Sequence, residues 1–560
     1  MKNNTFFKLF LILLAALTLR LWCLDKPEGL WNDEYVSWYI SSISDFKEFF
    51  RTALQNCHTP FYYFYLKFWM LLFPDSDISL RWSSIVPSIA GIVAMFYLGK
   101  ELKDKKLGLL CAGFTALSSF CIYFAQEVRL YSLLFLISAL VSLFFIKTAK
   151  EPKKNNFLIY FSLNALLCAT HTLGIIFSFF NIICLISYLN KYHERLNKRE
   201  ILNILKYITP FLFVVLLISP FLITISTSKN LSQFWSSFSI TKIACTFIDY
   251  YSPIQTNIQN TFNSFLSYLT YGNTLNYPFI IFGILPTIIG LTISVKSLFE
   301  NNKILNYLVY SSVLFFLTLI TLSTLGKMII ITKYSSEIYP ILILMMSLGF
   351  LSIKKEKLKH ILLCLFIGLN LFYLFTAEDS APKRTRSEGH LAVVELLNNS
   401  KLKENDYVLF TYYNRQKFDR YLADKNKYNF LSINKFDFNY FLFDGEDYFE
   451  VLKTGKENHK DFFEEFPSKK LEIYAKNNFL HKMKKGDRVG IVILKNVSFI
   501  NNDKLQEILK DEKKYNDTSF IFLIFSAIKN NLVEILSKEL TIETTTHKGD
   551  WSLYVFVKED

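Results

Sequence analysis

The stretch Phe6–Trp38, FFKLFLILLAALTLRLWCLDKPEGLWNDEYVSW, decides how the rest of the chain is read. Phe6 to Leu24 is one apolar run, long for a signal-peptide core and without a small-residue cleavage site, so it is expected to stay as a first membrane helix. Lys2 and Lys8 at its start put the N-terminus on the cytoplasmic side. The run then delivers Asp33-Glu34 to the far interface, flanked by Trp31, Tyr35 and Trp38, aromatics that settle at headgroup depth. Adjacent carboxylates raise each other's pKa unless a cation or a metal lies nearby. The pair reads either as a solvated loop or as a functional site.

Working outward, the whole chain has the composition of a polytopic membrane protein. Of its 560 residues 51% are hydrophobic, with 56 Phe and 32 Tyr, and the mean hydropathy is positive. Apolar runs of membrane-crossing length recur along it. A net charge of +14 would suit nucleic acid, but the Lys and Arg gather in short loops between apolar runs, the positive-inside pattern, and a nucleic-acid partner is excluded on that ground. Most of the eight Cys sit inside apolar runs as small buried hydrophobes, and no CxxC or Cys/His metal spacing occurs.

After the first run the expected spans are Trp82–Leu98, Leu107–Phe124, Ser132–Ile146, Phe157–Ala169, Leu173–Leu189, Ile204–Ile225, Pro278–Val295, Ile304–Leu325, Ile338–Ile353 and Ile361–Phe375. That makes eleven spans, with every strongly basic loop on the cytoplasmic side. Phe61–Phe73, with Lys67 inside it, is too short to span and is read as interfacial or re-entrant within an external loop, residues 25–81. A second long external loop is expected over Ser226–Asn276. The parity puts Asp33-Glu34, Glu127–Arg129, His171 and Lys333 on one outer face. From Ala377 the composition turns charged and mixed. Asp406–Thr411, Arg488–Leu494 and Trp551–Val557 read as strands, with helical runs such as His390–Asn398 and Asn531–Leu540. The expected architecture is therefore an α-helical polytopic membrane domain over 1–376, followed by an extracytoplasmic soluble α/β domain over 377–560. No Gly-rich phosphate loop, catalytic triad signature or internal repeat is present.

The candidate chemistry follows from this topology. Asp33, held near desolvating aromatics, is the candidate base for a hydroxyl nucleophile, and Glu34 would orient the acceptor, bind a metal or be solvated. Arg129 at the outer end of a span suits bidentate phosphate binding, or simply snorkels from a helix end. Position alone favours the anchor, and Glu127 and Tyr131 beside it bring the two readings level. Arg81, Lys333 and Tyr334 stand next to spans as further phosphate ligands or as ordinary anchors. His58 and His171 would bind a metal or the acceptor, or serve as hydrogen-bonded structural residues; no pair has zinc spacing, and a divalent metal is left open. External cations and an external carboxylate suit transfer of a group from a lipid-linked phosphate. One-step displacement at a sugar carbon would then invert the anomeric centre.

Asp33-Glu34 after the first span, His58-Thr59-Pro60-Phe61-Tyr62-Tyr63, Arg81 before Pro87, Ala125-Gln126-Glu127-Val128-Arg129-Leu130-Tyr131-Ser132, and Lys333-Tyr334 followed by Tyr339-Pro340 together resemble glycosyltransferase family 39. This belongs to the GT-C fold group, with the protein O-mannosyltransferases and the bacterial lipid A aminoarabinose transferase. The resemblance spans roughly residues 1–380. It implies sugar transfer, hexosyl or pentosyl, from a polyprenyl-phosphate-linked donor to a glycan, lipid or protein acceptor outside the cytoplasm. It also implies Asp33 as the catalytic carboxylate, Glu34 at the acceptor, and Arg129 and Lys333 near the donor phosphate. Thr59 departs from the usual His-Pro-Pro, and the C-terminal segment does not resemble the β-trefoil repeats of the eukaryotic protein mannosyltransferases. Transfer of a whole oligosaccharide is equally open. The reading from another class is a transporter or flippase of a lipid-linked anionic glycan, which would carry ionisable residues near the bilayer midplane; the spans read as nearly free of charge.

Overall fold

The computed structural model describes residues 3–25, 29–55, 59–192, 206–209, 211–220, 240–254, 270–271, 274–275, 277–324, 332–377, 380–381, 390–410, 420–424, 427–432, 472, 475–494, 532–548 and 551–559. It divides into two compact units, Met1–Lys26 with Val36–Thr385, and Pro27–Tyr35 with Arg386–Asp560. The first is helical and the second is α/β.

The helical unit opens with α1 (Asn3–Leu21). The segment expected as a loop over 25–81 is instead largely helical: α2 (Asn32–Ser42), whose first turn belongs to the second unit, then α3 (Phe46–Gln55) and α4 (Phe61–Leu72). Next come α5 (Asp77–Leu102), α6 (Lys105–Leu117), α7 (Ser119–Ala125), α8 (Tyr131–Lys150), α9 (Lys154–Thr170) and α10 (Gly174–Tyr192). Within the second expected loop lies α11 (Ile240–Tyr251). The remainder is α12 (Leu285–Ser297), entered through a π-helical turn at Ile280–Ile284, then α13 (Lys303–Thr324), a 3-10 turn Thr332–Ile338, α14 (Tyr339–Leu351) and α15 (Glu356–Thr376).

Seven of these helical stretches are long and apolar enough to cross a membrane, or eight if the bent pair α6–α7 counts as one span. Large apolar side chains stay exposed on the outward faces, for example Phe7, Phe10 and Leu14 of α1 and Leu314 and Leu317 of α13. Such a surface is stable only against lipid. The chain is thus an α-helical polytopic membrane protein.

Helix α5 is central and packs along both α6 and α8. Its start is capped by Ser76, and α6 is capped by Asp104, whose carboxylate accepts from the Leu107 amide at 2.9 Å. The α5–α6 hairpin closes tightly because two glycines meet: a Cβ on Gly99 would come within 2.9 Å of the Gly108 Cα. Pro87 lies inside α5 and cannot donate to the carbonyl four residues back, that of Ser83. The Tyr65 hydroxyl of α4 fills that gap, donating to the Ser83 carbonyl at 2.7 Å, and Trp69 Nε1 donates to the Ser79 carbonyl at 2.9 Å. The same α4 uses Lys67 to take the Ser41 and Ile43 carbonyls at the end of α2. Lys67, a reason to read this run as no span, is therefore a helix C-terminal ligand.

The reading of Leu107–Phe124 as one straight span is corrected. The helix breaks at Ser118 and the two halves meet at 59°. The break leaves the last carbonyls of α6 without intrahelical donors. Arg20 of α1 supplies them: its guanidinium, fully buried, donates to the Ala116 and Thr115 carbonyls at 3.1 and 3.3 Å, to Ala16 at 3.1 Å, and through Nε to Ser88 Oγ at 2.8 Å. The expectation that spans carry almost no charge is corrected with it, since Arg20 lies in α1 and Arg81 in α5.

The two ends of the helical unit differ. One carries exposed Lys100, Lys103, Lys105, Lys106, Lys150, Lys153, Lys191, Lys303, Lys354 and Lys355 at helix ends and in the short connections between them. Lys150 pairs with Glu101 at 3.4 Å, and Lys303 sits 4.5 Å from the Tyr192 ring centroid, which ties these connections together. The other end carries buried polar groups.

Among the described residues the second unit holds five strands, β1 (Tyr407–Phe410), β2 (Asn429–Ser432), β3 (Arg488–Leu494), β4 (Thr541–Lys548) and β5 (Trp551–Val557). Their order is β2-β1-β3-β5-β4, the first three parallel and the last two antiparallel. Helix α16 (His390–Asn398) packs Val393, Val394 and Leu397 onto Val408, Val492, Leu553 and Val555. Arg488 and Glu543 clamp β3 to β4 through two hydrogen bonds of 2.7 and 3.1 Å, and this pairing holds the Glu543 carboxyl below the usual range. The segment Pro27–Tyr35 joins this unit: Gly29, at φ +82, brings its Cα against Leu391, and the Leu30 amide donates to the Tyr421 hydroxyl at 2.6 Å. β2 and β4 were not foreseen, and Thr411 and Asn531 lie outside the described residues.

Arg20→Met removes the donors at the α6 break and is expected to lower the thermal stability of the purified protein in detergent by on the order of 3 kcal/mol. Tyr65→Phe, which loses a single neutral bond at Pro87, is expected to cost about 1 kcal/mol. Thermal unfolding of both variants beside wild type checks the order.

Candidate active site

Asp33 and Glu34 do not lie in a loop. They form the first turn of α2, where carboxylates suit the positive end of the helix dipole. Glu34 is buried, and its Oε2 accepts from the Trp31 amide at 3.2 Å. Trp31 is the residue before the helix and Glu34 the third within it, so this is the return half of a capping box. Asp33 is half-buried. The two carboxylates thus separate in character, one buried and engaged in holding the helix start, the other half-buried. Ser37 follows Asp33 by one turn of the same helix.

In the helical unit, the residues flagged around Arg129 form the turn between α7 and α8. Gln126 Nε2 donates to the Arg20 and Trp22 carbonyls at 3.0 and 2.7 Å, fastening the turn to the end of α1. Ser84 of α5 donates to the Glu127 carbonyl. Glu127 and Arg129 are 2% and 6% exposed, so both charges are withdrawn from solvent. Arg129 Nη1 points at Ser37 Oγ, 3.4 Å away, and Tyr131 packs its ring on Phe124 at 4.4 Å. Arg81 lies within the second turn of α5 rather than before a span; it is 1% exposed and donates to the Leu24 carbonyl at 2.8 Å.

A second group of predicted residues gathers at the 3-10 turn before α14. His171, the residue ending α9, sets its Nδ1 within hydrogen-bond distance of Glu337 Oε1, and both are buried. The His171 ring stacks on Tyr334 at 6.2 Å and 24°, and Lys333 Nζ lies 5.5 Å from the Tyr334 ring centroid. From the other side, Thr332 donates to Asp249 Oδ2 at 2.5 Å, and the Tyr250 hydroxyl reaches the Thr332 carbonyl at 3.0 Å and Ser335 Oγ at 2.9 Å. Tyr339 donates to the Tyr250 carbonyl at 2.9 Å and shares a 2.7 Å bond with Ser118, the residue at the α6–α7 break. The two groups are therefore linked through the break.

The structure brings together Glu127, Arg129 and Tyr131 in one turn and His171, Lys333 and Tyr334 in another. His58 lies outside the described residues. Asp249 and Glu337 were missed. Asp249 sits in the apolar run ITKIACTFIDYY, and a lone carboxylate in such a run is a signal in itself. Glu337 follows Lys333-Tyr334 by three residues. Among the described residues no three His, Cys, Asp or Glu side chains lie close enough to hold a metal ion. Asp249→Leu leaves the buried Thr332 hydroxyl without its acceptor and is expected to lower thermal stability by about 1–3 kcal/mol, with Asp249→Asn recovering most of it. Thermal unfolding in detergent checks both.

With this geometry in place, comparisons with known proteins bear on the family. Residues 57–224 match the family model described as dolichyl-phosphate-mannose-protein mannosyltransferase. No curated protein matches the chain. Among solved structures, ArnT from Cupriavidus metallidurans bound to undecaprenyl phosphate is similar at a TM-score of 0.48, with 10% identity over 98% of this chain and 97% of that one. The archaeal oligosaccharyltransferase AglB from Archaeoglobus fulgidus, in complex with an inhibitory peptide and a dolichol-phosphate, is similar at 0.47, with 11% identity over 99% of this chain and 74% of that one. The family match covers Arg81, Glu127, Arg129, Tyr131 and His171, and the resemblance to the protein mannosyltransferases read from the sequence is borne out there.

Proposed function

We propose that the chain is an integral membrane glycosyltransferase that moves a sugar from a polyprenyl-phosphate-sugar to an extracytoplasmic acceptor, with inversion at the anomeric carbon. The observation that carries this reading is the buried Glu127–Arg129 turn, braced by Ser84 and facing Ser37, inside the segment that matches the mannosyltransferase family. A buried guanidinium suits an anionic phosphate, and a half-buried carboxylate at a helix start suits proton removal.

In this mechanism Asp33 takes the proton of the acceptor hydroxyl. The freed oxygen pair attacks the anomeric carbon from the face opposite the phosphate. The bond from that carbon to the phosphate oxygen breaks, and the polyprenyl phosphate leaves with both electrons. Arg129, Lys333 and Arg81 meet the charge that develops on it, and Tyr334 borders it. Glu34 keeps the α2 start in place beside the acceptor. Glu127, Tyr131, His58 and His171 take part in binding the acceptor or in positioning the loops around it. Acceptor recognition falls to the C-terminal unit, and the acceptor is a cell-envelope glycan, lipid or protein.

A second reading has a specific observation behind it. Arg20, Arg81, Asp249 and Glu337 are all buried within helical elements of the helical unit. Ionisable residues in such positions mark transport pathways as well as active sites. Movement of a lipid-linked anionic glycan between leaflets is that alternative.

The test is transfer of radiolabelled sugar from a panel of polyprenyl-phosphate sugars by purified protein. Asp33→Asn is expected to lower transfer at least about a hundredfold while donor binding persists. Undiminished transfer in that variant moves the base elsewhere. No transfer by wild type from any donor, together with movement of labelled lipid between vesicle leaflets, replaces the enzyme with the transporter.

A further inference from the structure

The 3-10 turn Thr332–Ile338 leaves two side chains half-buried and buries five. Lys333 and Tyr334 are half-buried, whereas Thr332 and residues 335 to 338 are buried. The buried ones are anchored from both directions. Thr332 and Ser335 are held by Asp249 and Tyr250 of α11. Glu337 is held by His171, from the end of α9. Glu337 is fully buried, its Oε1 meets His171 Nδ1, and its Oε2 has no hydrogen-bond partner among the described residues. A carboxylate in so dry a place is costly unless it is paired, and its pairing here falls on one partner. The partner is an imidazole whose ring stacks on Tyr334, and Tyr334 in turn lies under the Lys333 ammonium. Carboxylate, imidazole, phenol ring and ammonium thus form one continuous file inside the helical unit. The first two members are buried and the last two reach the surface of the turn.

We propose that Glu337 is a positioning residue: through His171 and the Tyr334 ring it fixes the Lys333 ammonium for the phosphate of a lipid-linked ligand. This rests on the donor-phosphate role given to Lys333 above. Glu337 itself touches no ligand. It orients the imidazole, the imidazole fixes the plane of the phenol ring, and the ring face sets where the ammonium rests. Losing the carboxylate's charge while keeping its shape replaces a charge-assisted bond with a weaker neutral one, which loosens the hold on the ring and blurs the position of the ammonium.

The test is a double-mutant cycle on the full chain, purified in detergent, reading equilibrium binding of radiolabelled undecaprenyl phosphate. Lys333→Ala and Glu337→Gln are each expected to weaken binding roughly tenfold. The double variant is expected to bind no more weakly than Lys333→Ala alone, because a residue that acts through the ammonium has nothing left to act on. A purely structural role for Glu337 would instead make the two losses multiply. Multiplied losses, or a Glu337→Gln protein that binds as wild type does, overturn the proposal while leaving the transferase reading standing. Wild type that fails to bind undecaprenyl phosphate removes that reading and the proposal with it. Should Glu337→Gln not accumulate as folded protein, His171→Asn runs the same cycle. It keeps a donor for Glu337 but removes the stacked ring, so the same non-multiplying loss with Lys333→Ala is expected, and multiplied losses overturn the proposal.

Discussion

The helical unit depends on one buried cation. Arg20 stands in α1, the first helix of the chain, and reaches the place where α6 gives out. Bare carbonyls at a helix end are costly in a hydrocarbon environment, because no water arrives to meet them. A guanidinium has five donors and a permanent charge, and the end of a helix carries the negative pole of its dipole. Each thereby answers the other's deficit. The charge would be unaffordable without the carbonyls, and the break at Ser118 would be untenable without the charge.

That break sets the geometry of two turns in the helical unit. It turns α7 away from the line of α6 and so presents the Gln126–Leu130 turn, which Gln126 fastens back onto the Arg20 and Trp22 carbonyls. It also frees Ser118 to bond Tyr339, which reaches the Tyr250 carbonyl and, beyond it, the anchors of the 3-10 turn. The guanidinium of Arg129 and the ammonium of Lys333 are far apart in sequence but share this one support. A disturbance at Ser118 reaches both.

Much of this was legible in the residues. Apolar runs and basic connections gave the helices, since membrane-crossing length and the placement of Lys are local properties. Helix His390–Asn398 and strands Arg488–Leu494 and Trp551–Val557 fell where their patterns put them. The misses that matter for the site each depend on a side-chain partner that the pattern of the sequence does not reveal. Leu107–Phe124 reads as one apolar run although Ser118 caps α7 by accepting from the Cys121 amide; the carbonyls that the break frees are met by Arg20, nearly a hundred positions earlier. Asp33-Glu34 reads as a loop because Trp31 is a poor helix cap by type, and it takes the Glu34 side chain folding back to start α2 there. Asp249 and Glu337 were passed over because a carboxylate buried in an apolar context declares a role only once Thr332 or His171 is seen against it.

The bond from Tyr65 to the Ser83 carbonyl bears on the order of synthesis. Helix α4 emerges before α5, so the hydroxyl that covers the gap left by Pro87 already exists when the proline-bearing helix enters the bilayer. The nascent α5 never has to wait in lipid with an unmet carbonyl for a later segment to arrive. A chain with the same helices in rearranged order, α4 last, would keep every contact of the finished fold. It would nevertheless have to carry that exposed carbonyl through most of its assembly, which gives the sequence order of these two helices a kinetic meaning apart from the final structure.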